Sequence, residues 1–504
     1  MKRNLLIKSI LFASTLLLSV SCTDLKEESL DGVIIETDGG GTVNTSAILQ
    51  SAYNGLREFQ AQGQMFAMDE MSTDALVGPT RGGDWDDGGA WRQLHTHTWA
   101  PDHGEVRGAW NSLLSNVYNC NLVIENSSNA SEILQARFLR AFYYYNVVDL
   151  FGQAPYREAG SELEADPLIW TRSEATAYVI SELEAIVGTL PARVAGDPSI
   201  ANSDAAHFLL AKIYLNKGVF DSAAPEGPYT FDNADLTKVV THVDAMSNSL
   251  STNYWDNFSP SNSSSDELVF SSKNVAGNGG NIQSRWRMSS HYNQTPGGWN
   301  GFATVAEYYN KFNAADSRIN NTSPYMINNF GNPAGFQIGQ QYAPGGVTPL
   351  QDRNGNALSF TSALTIITNG VTLETAGIRG MKYMPDTANL DAPNNDYVLM
   401  RYSDALLMKA EAITRGGTGA IGTIMADIAA RTGQPAAPAT LDGIYAERGR
   451  ELWWEGYRRN DMIRFGTFLN QRGLKPYVSA AKYALYPIPA DALFNANLSQ
   501  NPGY

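Results

Sequence analysis

The sequence predicts a mainly α-helical scaffold that carries its working face on long irregular loops. Apolar residues recur at helical spacing through segment after segment of the chain. Two regions, 63–103 and 258–395, break that period with runs of Gly, Asn, Asp, Ser and Pro. Trp and Tyr are interspersed in those same regions, which argues that they are ordered and functional rather than disordered.

Taken in order, the helical segments are 46–60, 105–126 and 131–151, then 172–189, 203–217 and 235–250, and finally 401–415, 441–456 and 460–469. Ser131, just before Glu132 and an apolar run, and the Ser203-Asp204 pair read as helix starts. The segment 203–218, SDAAHFLLAKIYLNKG, has the small and aromatic spacing of a tetratricopeptide-like helix. No strict period of about 34 residues follows, so the expectation is helix-pair packing and not a regular array. Cys120 shares one helical face with Leu113, Val117 and Ile124 and reads as a small buried residue.

The first 22 residues, MKRNLLIKSILFASTLLLSVSC, place a basic start before a short apolar run. That run is too short for a bilayer, which takes about 20 apolar residues, and it fits a secretory signal. Its end at Ser19-Val20-Ser21-Cys22 resembles a bacterial lipoprotein signal, with Cys22 as the acylated first residue, although Ser19 stands where Leu is commoner. The expected organisation is a signal over 1–21, an acidic tether over 22–45 and one domain over 46–504. The acidic run Asp24 to Glu28 resembles the signal for display on the outer cell surface in lipoproteins of the Bacteroidota. The chain is then anchored to a membrane and does not span it.

Composition narrows the partner. Of 504 residues, 43% are hydrophobic, enough for a large core, and the net charge is −15. Residues 1–21 hold Lys2, Arg3 and Lys8 and no acid, so without them the balance is 33 basic against 51 acidic side chains. A surface this acidic disfavours nucleic-acid phosphates, so no nucleic-acid partner is expected. The 10 Trp, 24 Tyr and 19 Phe supply flat apolar faces with polar tips, suited to sugar rings.

Four segments, ARFLRAFYYYNVVDLFGQAPY (136–156), RYSDALLMKAEA (401–412), ERGRELWWEGYRRNDMIRFG (447–466) and ALYPIPADALFNANLSQNPGY (484–504), resemble the SusD/RagB family in the family's order. A further family-like segment, EMSTDALVGPTRGGDWDDGGAWRQLHTHTWAPDH (70–103), resembles the one that contributes to the sugar site in glycan-binding members. The resemblance implies a SusD-like fold and an outer-membrane lipoprotein facing the extracellular side. That protein would sit as a lid over a TonB-dependent SusC-like transporter, gripping an oligosaccharide for import. It implies no catalysis. The alternative within the binding class is a peptide-capturing RagB-like protein; a surface glycosidase is the rival from another class.

For the ligand site the expected residues are Asp74 and Arg81 for sugar hydroxyls, with Trp85, Trp91 and Trp99 as faces. A second cluster, Trp286, Tyr292 and Trp299, lies in a Gly- and Pro-containing loop. Several of these Trp are expected in the core, with at least two lining the site. Glu447, Glu451 and Glu455 fall four apart among arginines and read as ion-paired scaffold; a glycosidase needs two carboxylates across a cleft. No cofactor is expected. His95, His97 and His103 could form a zinc site, and Asp84, Asp86 and Asp87 could hold a structural Ca2+. No phosphate loop, dinucleotide fingerprint, nucleophile elbow or HExxH occurs.

Overall fold

The computed structural model describes residues 34–35, 42–161, 166–368, 370–494 and 497–504. Cys22, the signal over 1–21 and most of the tether lie outside the described residues.

Helices dominate, and their starts are set by short polar side chains. Helix α1, Thr45–Asn54, is capped by Asn44, whose side chain accepts from the Ala47 amide at 3.1 Å. In the loop expected to be irregular lies α2, Ala90–Thr96. Then come α3, Gly104–Asn126, and α4, Ala130–Phe151. The cap of α4 is Asn129, two residues ahead of the expected Ser131. Helix α5, Arg172–Ile186, opens on a full capping box between Thr171 and Glu174. Helix α6, Ser203–Phe220, is capped by Asn202, and α7, Asn233–Asp244, by Asp232. Helix α4 stops at Gly152, which takes φ +71° where a Cβ would meet the Leu485 side chain at 2.5 Å.

These helices pack on one another in chain order, α3 on α4, α4 on α5, α5 on α6 and α6 on α7, with α1 against α3. The C-terminal helices close the stack. They are α8, Tyr402–Arg415, which lies on α7 and α6, then α9, Ile424–Ala430, α10, Leu441–Glu451, and α11, Arg458–Arg464. Sheet is confined to short antiparallel pieces. The longest pair, buried throughout, sets the strand Leu268–Ser272 against the strand Tyr397–Arg401. The strand Ala334–Gln337 sits between the strands Asn320–Asn321 and Arg379–Met381. One apolar core runs from Ile48 to Ile488 and takes in Cys120, fully buried.

The chain end is part of that core. Asn501 donates to the carbonyls of Phe151 and Tyr486, at 2.8 and 2.7 Å. Gln500 exchanges two hydrogen bonds with the Ile488 backbone. The Tyr504 hydroxyl donates to the Leu485 carbonyl and accepts from the Trp99 indole.

Arginine–carboxylate pairs lace the C-terminal helices to the rest. Arg401, fully buried, binds Glu267, Glu451 and Glu455; Arg318 binds Asp316, Glu447 and Glu451. The three glutamates are thus scaffold, as their spacing among arginines implies. The expected single helical face is not what arranges them, however. Helix α10 ends at Glu451, and Glu455 reaches Arg401 from the turn beyond it, where Trp454 takes φ +56°.

Candidate functional site: an aromatic platform on the loop face

The platform is built where the 81–91 loop meets the 291–302 loop. Arg81 and Asp84 close a tight turn through paired backbone hydrogen bonds of 2.9 and 3.2 Å. Gly82 and Trp85 both take positive φ there, +74° and +63°. That turn lays the Trp85 indole over Gly301, where a Cβ would come within 2.3 Å of the ring. The indole nitrogen donates to the Trp299 carbonyl at 2.7 Å. Behind Trp85 stand Phe302, with ring centroids 4.8 Å apart, and Trp91 at 5.7 Å. In front, Trp299 lies 6.4 Å away at an interplanar angle of 43°. Trp85 and Trp299 are partly buried and keep some solvent exposure.

Tyr292 flanks the pair. Its hydroxyl donates to Asp84 at 2.6 Å, and the Arg353 guanidinium stacks over its ring at 4.6 Å. Burial and the adjacent Asp84 carboxylate push the Tyr292 hydroxyl up to about 12. Arg353 is about half exposed and also reaches Asp84 and Glu374, while Glu374 accepts from His291 at 2.9 Å. The result is a packed pair of indoles with a tyrosine tied beside it through Asp84, edged by one carboxylate and one guanidinium. Flat apolar faces beside a few fixed hydrogen-bonding groups match the C–H patches and hydroxyl rims of a sugar ring.

The structure brings Trp85, Trp91, Trp299, Tyr292 and Arg81 to this place, in different roles. Arg81 is buried; its guanidinium donates to the carbonyls of Gly301 (2.8 Å), Ala376 (2.9 Å) and Leu373. It therefore ties the loops behind the platform, and no sugar hydroxyl reaches it. Trp91 is buried too, with its indole nitrogen donating to Asp87, so it backs Trp85 without facing a ligand.

Three expected site residues lie elsewhere. Trp99 is 1% exposed, pinned to Tyr504 and packed against Tyr486, and Trp286 is fully buried in the core. Neither offers a face. Asp74 is held by Arg458 through two bonds of 2.7 and 2.9 Å and lines a separate 360 Å3 cleft with Lys311, Tyr445 and Arg472. Burial works against its ionisation, yet Arg458, with Lys311 and Arg472, holds its carboxyl well below the usual range. Arg353 and Glu374 had no sequence signal: both sit in loops without motif, more than 60 residues from Tyr292.

The histidines do not converge. His95 bonds the Leu76 carbonyl, His97 the Ser72 carbonyl and Ser479 hydroxyl, and His103 the Ala90 carbonyl. Burial lowers all three, His95 to about 3. The three aspartates diverge likewise: Asp84 serves Tyr292, Asp86 pairs with Arg92, and Asp87 accepts from Trp91. Among the described residues no group of three or more His, Cys, Asp or Glu is arranged to hold a metal, so the three histidines and the three aspartates do not form such a cluster.

Comparison with known proteins agrees with this architecture. The family model described as SusD family matches residues 242–483, and that described as starch-binding associating with outer membrane matches residues 26–215. The starch-binding protein SusD of Bacteroides thetaiotaomicron is 25% identical over 468 residues, 82% of this chain and 81% of its own. SusD-like protein P25 of Formosa agariphila is 24% identical over 72% of this chain and 71% of its own. Surface glycan-binding protein A from Bacteroides fluxus superposes with a TM-score of 0.69 at 18% identity, covering 93% of this chain and 100% of that one. A laminarin-binding SusD-like protein superposes at 0.68 with 20% identity, covering 91% and 99%. At these identities the structures show a shared fold.

Proposed function

The chain belongs to the SusD family, and from that premise we propose that it is a cell-surface glycan-binding lipoprotein that captures an oligosaccharide on the Trp85–Trp299–Tyr292 platform. It hands the glycan to a TonB-dependent SusC-like transporter, and it is held at the outer face of the outer membrane by acylation of Cys22. The observation that carries the reading is the pair of partly exposed indoles, with the Trp85 indole held by its hydrogen bond to the Trp299 backbone carbonyl. Rings fixed in advance lose little conformational entropy on stacking.

The glutamate-rich motif supports binding without hydrolysis. Glu447, Glu451 and Glu455 are spent on Arg318, Arg401 and Lys382 inside the scaffold, with no cleft between opposed carboxylates. The starch and laminarin named for its relatives are neutral glucans, and a neutral polymer suits a chain of net charge −15. Stacking with a few hydrogen bonds gives micromolar to millimolar affinity, about −4 to −8 kcal/mol, which suits a carrier that must release its cargo.

The experiment is affinity electrophoresis of the purified protein through gels holding soluble starch, laminarin or other plant, algal and host polysaccharides, with a peptide-binding assay alongside. Retardation by a glycan is expected. Silence on every glycan together with peptide binding would replace this reading with peptide capture.

A further inference from the structure

Next to the platform is a cleft of 350 Å3 whose wall has a different chemistry. Its rim and floor include Tyr309, Asn320, Phe336, Gln340 and Tyr342, and no Asp, Glu, Lys, Arg or His lines it. The cleft under Asp74 is lined by five charged side chains, so this neutrality is local to one place and not a property of the surface.

The wall is fixed. Asn332 donates to the Tyr342 carbonyl at 2.9 Å and accepts from its amide at 3.0 Å. Gln340 donates to the carbonyls of Gln341 and Leu350. What those bonds leave over points to a ligand. Among the described residues, the hydroxyls of Tyr309 and Tyr342, the amide of exposed Asn320 and the Oε1 of Gln340 have no protein partner. Phe336 and Ile319 give the floor an apolar surface. Unspent hydroxyls and amides over an apolar floor, without charge, suit a neutral polyhydroxylated ring. An anionic sugar would find no cation there.

The cleft is tied to the platform by hydrogen bonds between their loops. Gln294, two residues past Tyr292, donates to both Gln337 at 2.8 Å and Gln341 at 3.1 Å, each a cleft residue. Asn293 donates to the Gln351 carbonyl at 2.9 Å, and Arg353, two residues further on, stacks on Tyr292. The chain from Gln340 to Arg353 therefore runs from one site to the other.

We infer that this cleft is a second subsite, which takes an uncharged sugar unit of the same glycan chain that lies on the platform. The inference rests on the platform reading. A long oligosaccharide occupies both places, and a short one only the indole pair.

Calorimetric titration of purified full-length protein with laminari- and malto-oligosaccharides, from disaccharide to heptasaccharide, tests it. The triple variant Tyr309→Phe, Asn320→Ala, Tyr342→Phe keeps the rings and removes polar groups. It is expected to bind the short members unchanged and the longest about tenfold more weakly. Gln340→Ala alone is expected to show the same length dependence in smaller degree. Trp299→Ala is expected to weaken every length. Parent-like affinity of the triple variant at all lengths, while Trp299→Ala weakens them, overturns the cleft and leaves the platform standing. Failure of the unaltered protein to bind either series overturns the cleft as a glucan subsite, while the platform reading is judged on the wider polysaccharide panel.

Discussion

A tryptophan that stacks on a ligand shows solvent one face, and a tryptophan in a core shows none. The loops of this chain hold both kinds. Their composition told of aromatic rings near the ligand, but what separates Trp85 and Trp299 from Trp99 and Trp286 is long-range. Trp99 is covered by Tyr504, 405 residues away, and no local pattern carries that information. The same holds for Arg81, whose type suits a sugar site and whose partners are carbonyls some 220 to 295 residues on. Single residues make the sharpest tests. Trp299→Ala removes a partly exposed ring whose carbonyl bond to Trp85 is backbone and survives, so glycan affinity should fall about tenfold with the melting temperature nearly unchanged. Glu70 gives a stability test independent of ligand. It is fully buried, its Oε1 accepts the Gly456 amide, and its Oε2 has no partner. Burial raises its carboxyl from 4.5 to about 8. The unfolded chain loses that proton near 4.5 while the folded one keeps it, so this group costs stability progressively as pH rises from 4.5 to 8. Glu70→Gln keeps the acceptor and removes the titration. Denaturant unfolding should show the variant more stable than the parent at pH 8, by about 1–3 kcal/mol, with the gain shrinking towards pH 5.

At the scale of elements, the long helices were legible because their apolar period and their Asn, Asp, Ser and Thr starts agree. Helix α2 was not, because it follows Gly89 in a left-handed conformation with no side-chain cap and lies in a Gly- and Asp-rich stretch. The loop junction under the platform depends on one missing Cβ. Gly301→Ala would push into the Trp85 ring, which Phe302 and Trp91 block from behind. Glycan affinity should therefore fall about as far as in Trp299→Ala, and the Trp fluorescence of the free protein should change, since the indole itself moves. The join between the strand Tyr397–Arg401 and α10 is electrostatic. Arg401 answers three carboxylates with none of them exposed, so Arg401→Met leaves Glu267, Glu451 and Glu455 short of a cation. Loss of one partner from a buried network costs about 3–5 kcal/mol, and chemical denaturation should register it. Volume-matched Met isolates that charge effect from a cavity.

Over the whole molecule, a helical stack carries the two loop regions, 63–103 and 258–395, on which the proposed platform is built. The stack holds those loops through ties that cross the chain: Trp454 to the Ala75 carbonyl, Arg458 to Asp74, Arg472 to the carbonyls of Ser72 and His95. That division explains why family membership could be read from motifs that turn out to be scaffold, while the glycan could not. The motifs record how helices are pinned; the specificity rests on how loops from distant parts of the sequence meet. No helix among the described residues is long and apolar enough to cross a membrane, and the reading of a surface-tethered carrier rests on the N-terminal Cys22 segment. The most direct test of the central claim is calorimetric titration of the parent and Trp299→Ala with whichever glycan retards the parent in electrophoresis, at matched thermal stability. The account predicts measurable binding by the parent and a loss of about tenfold or more in the variant. Equal affinity in the two proteins would contradict it and move the glycan off the platform.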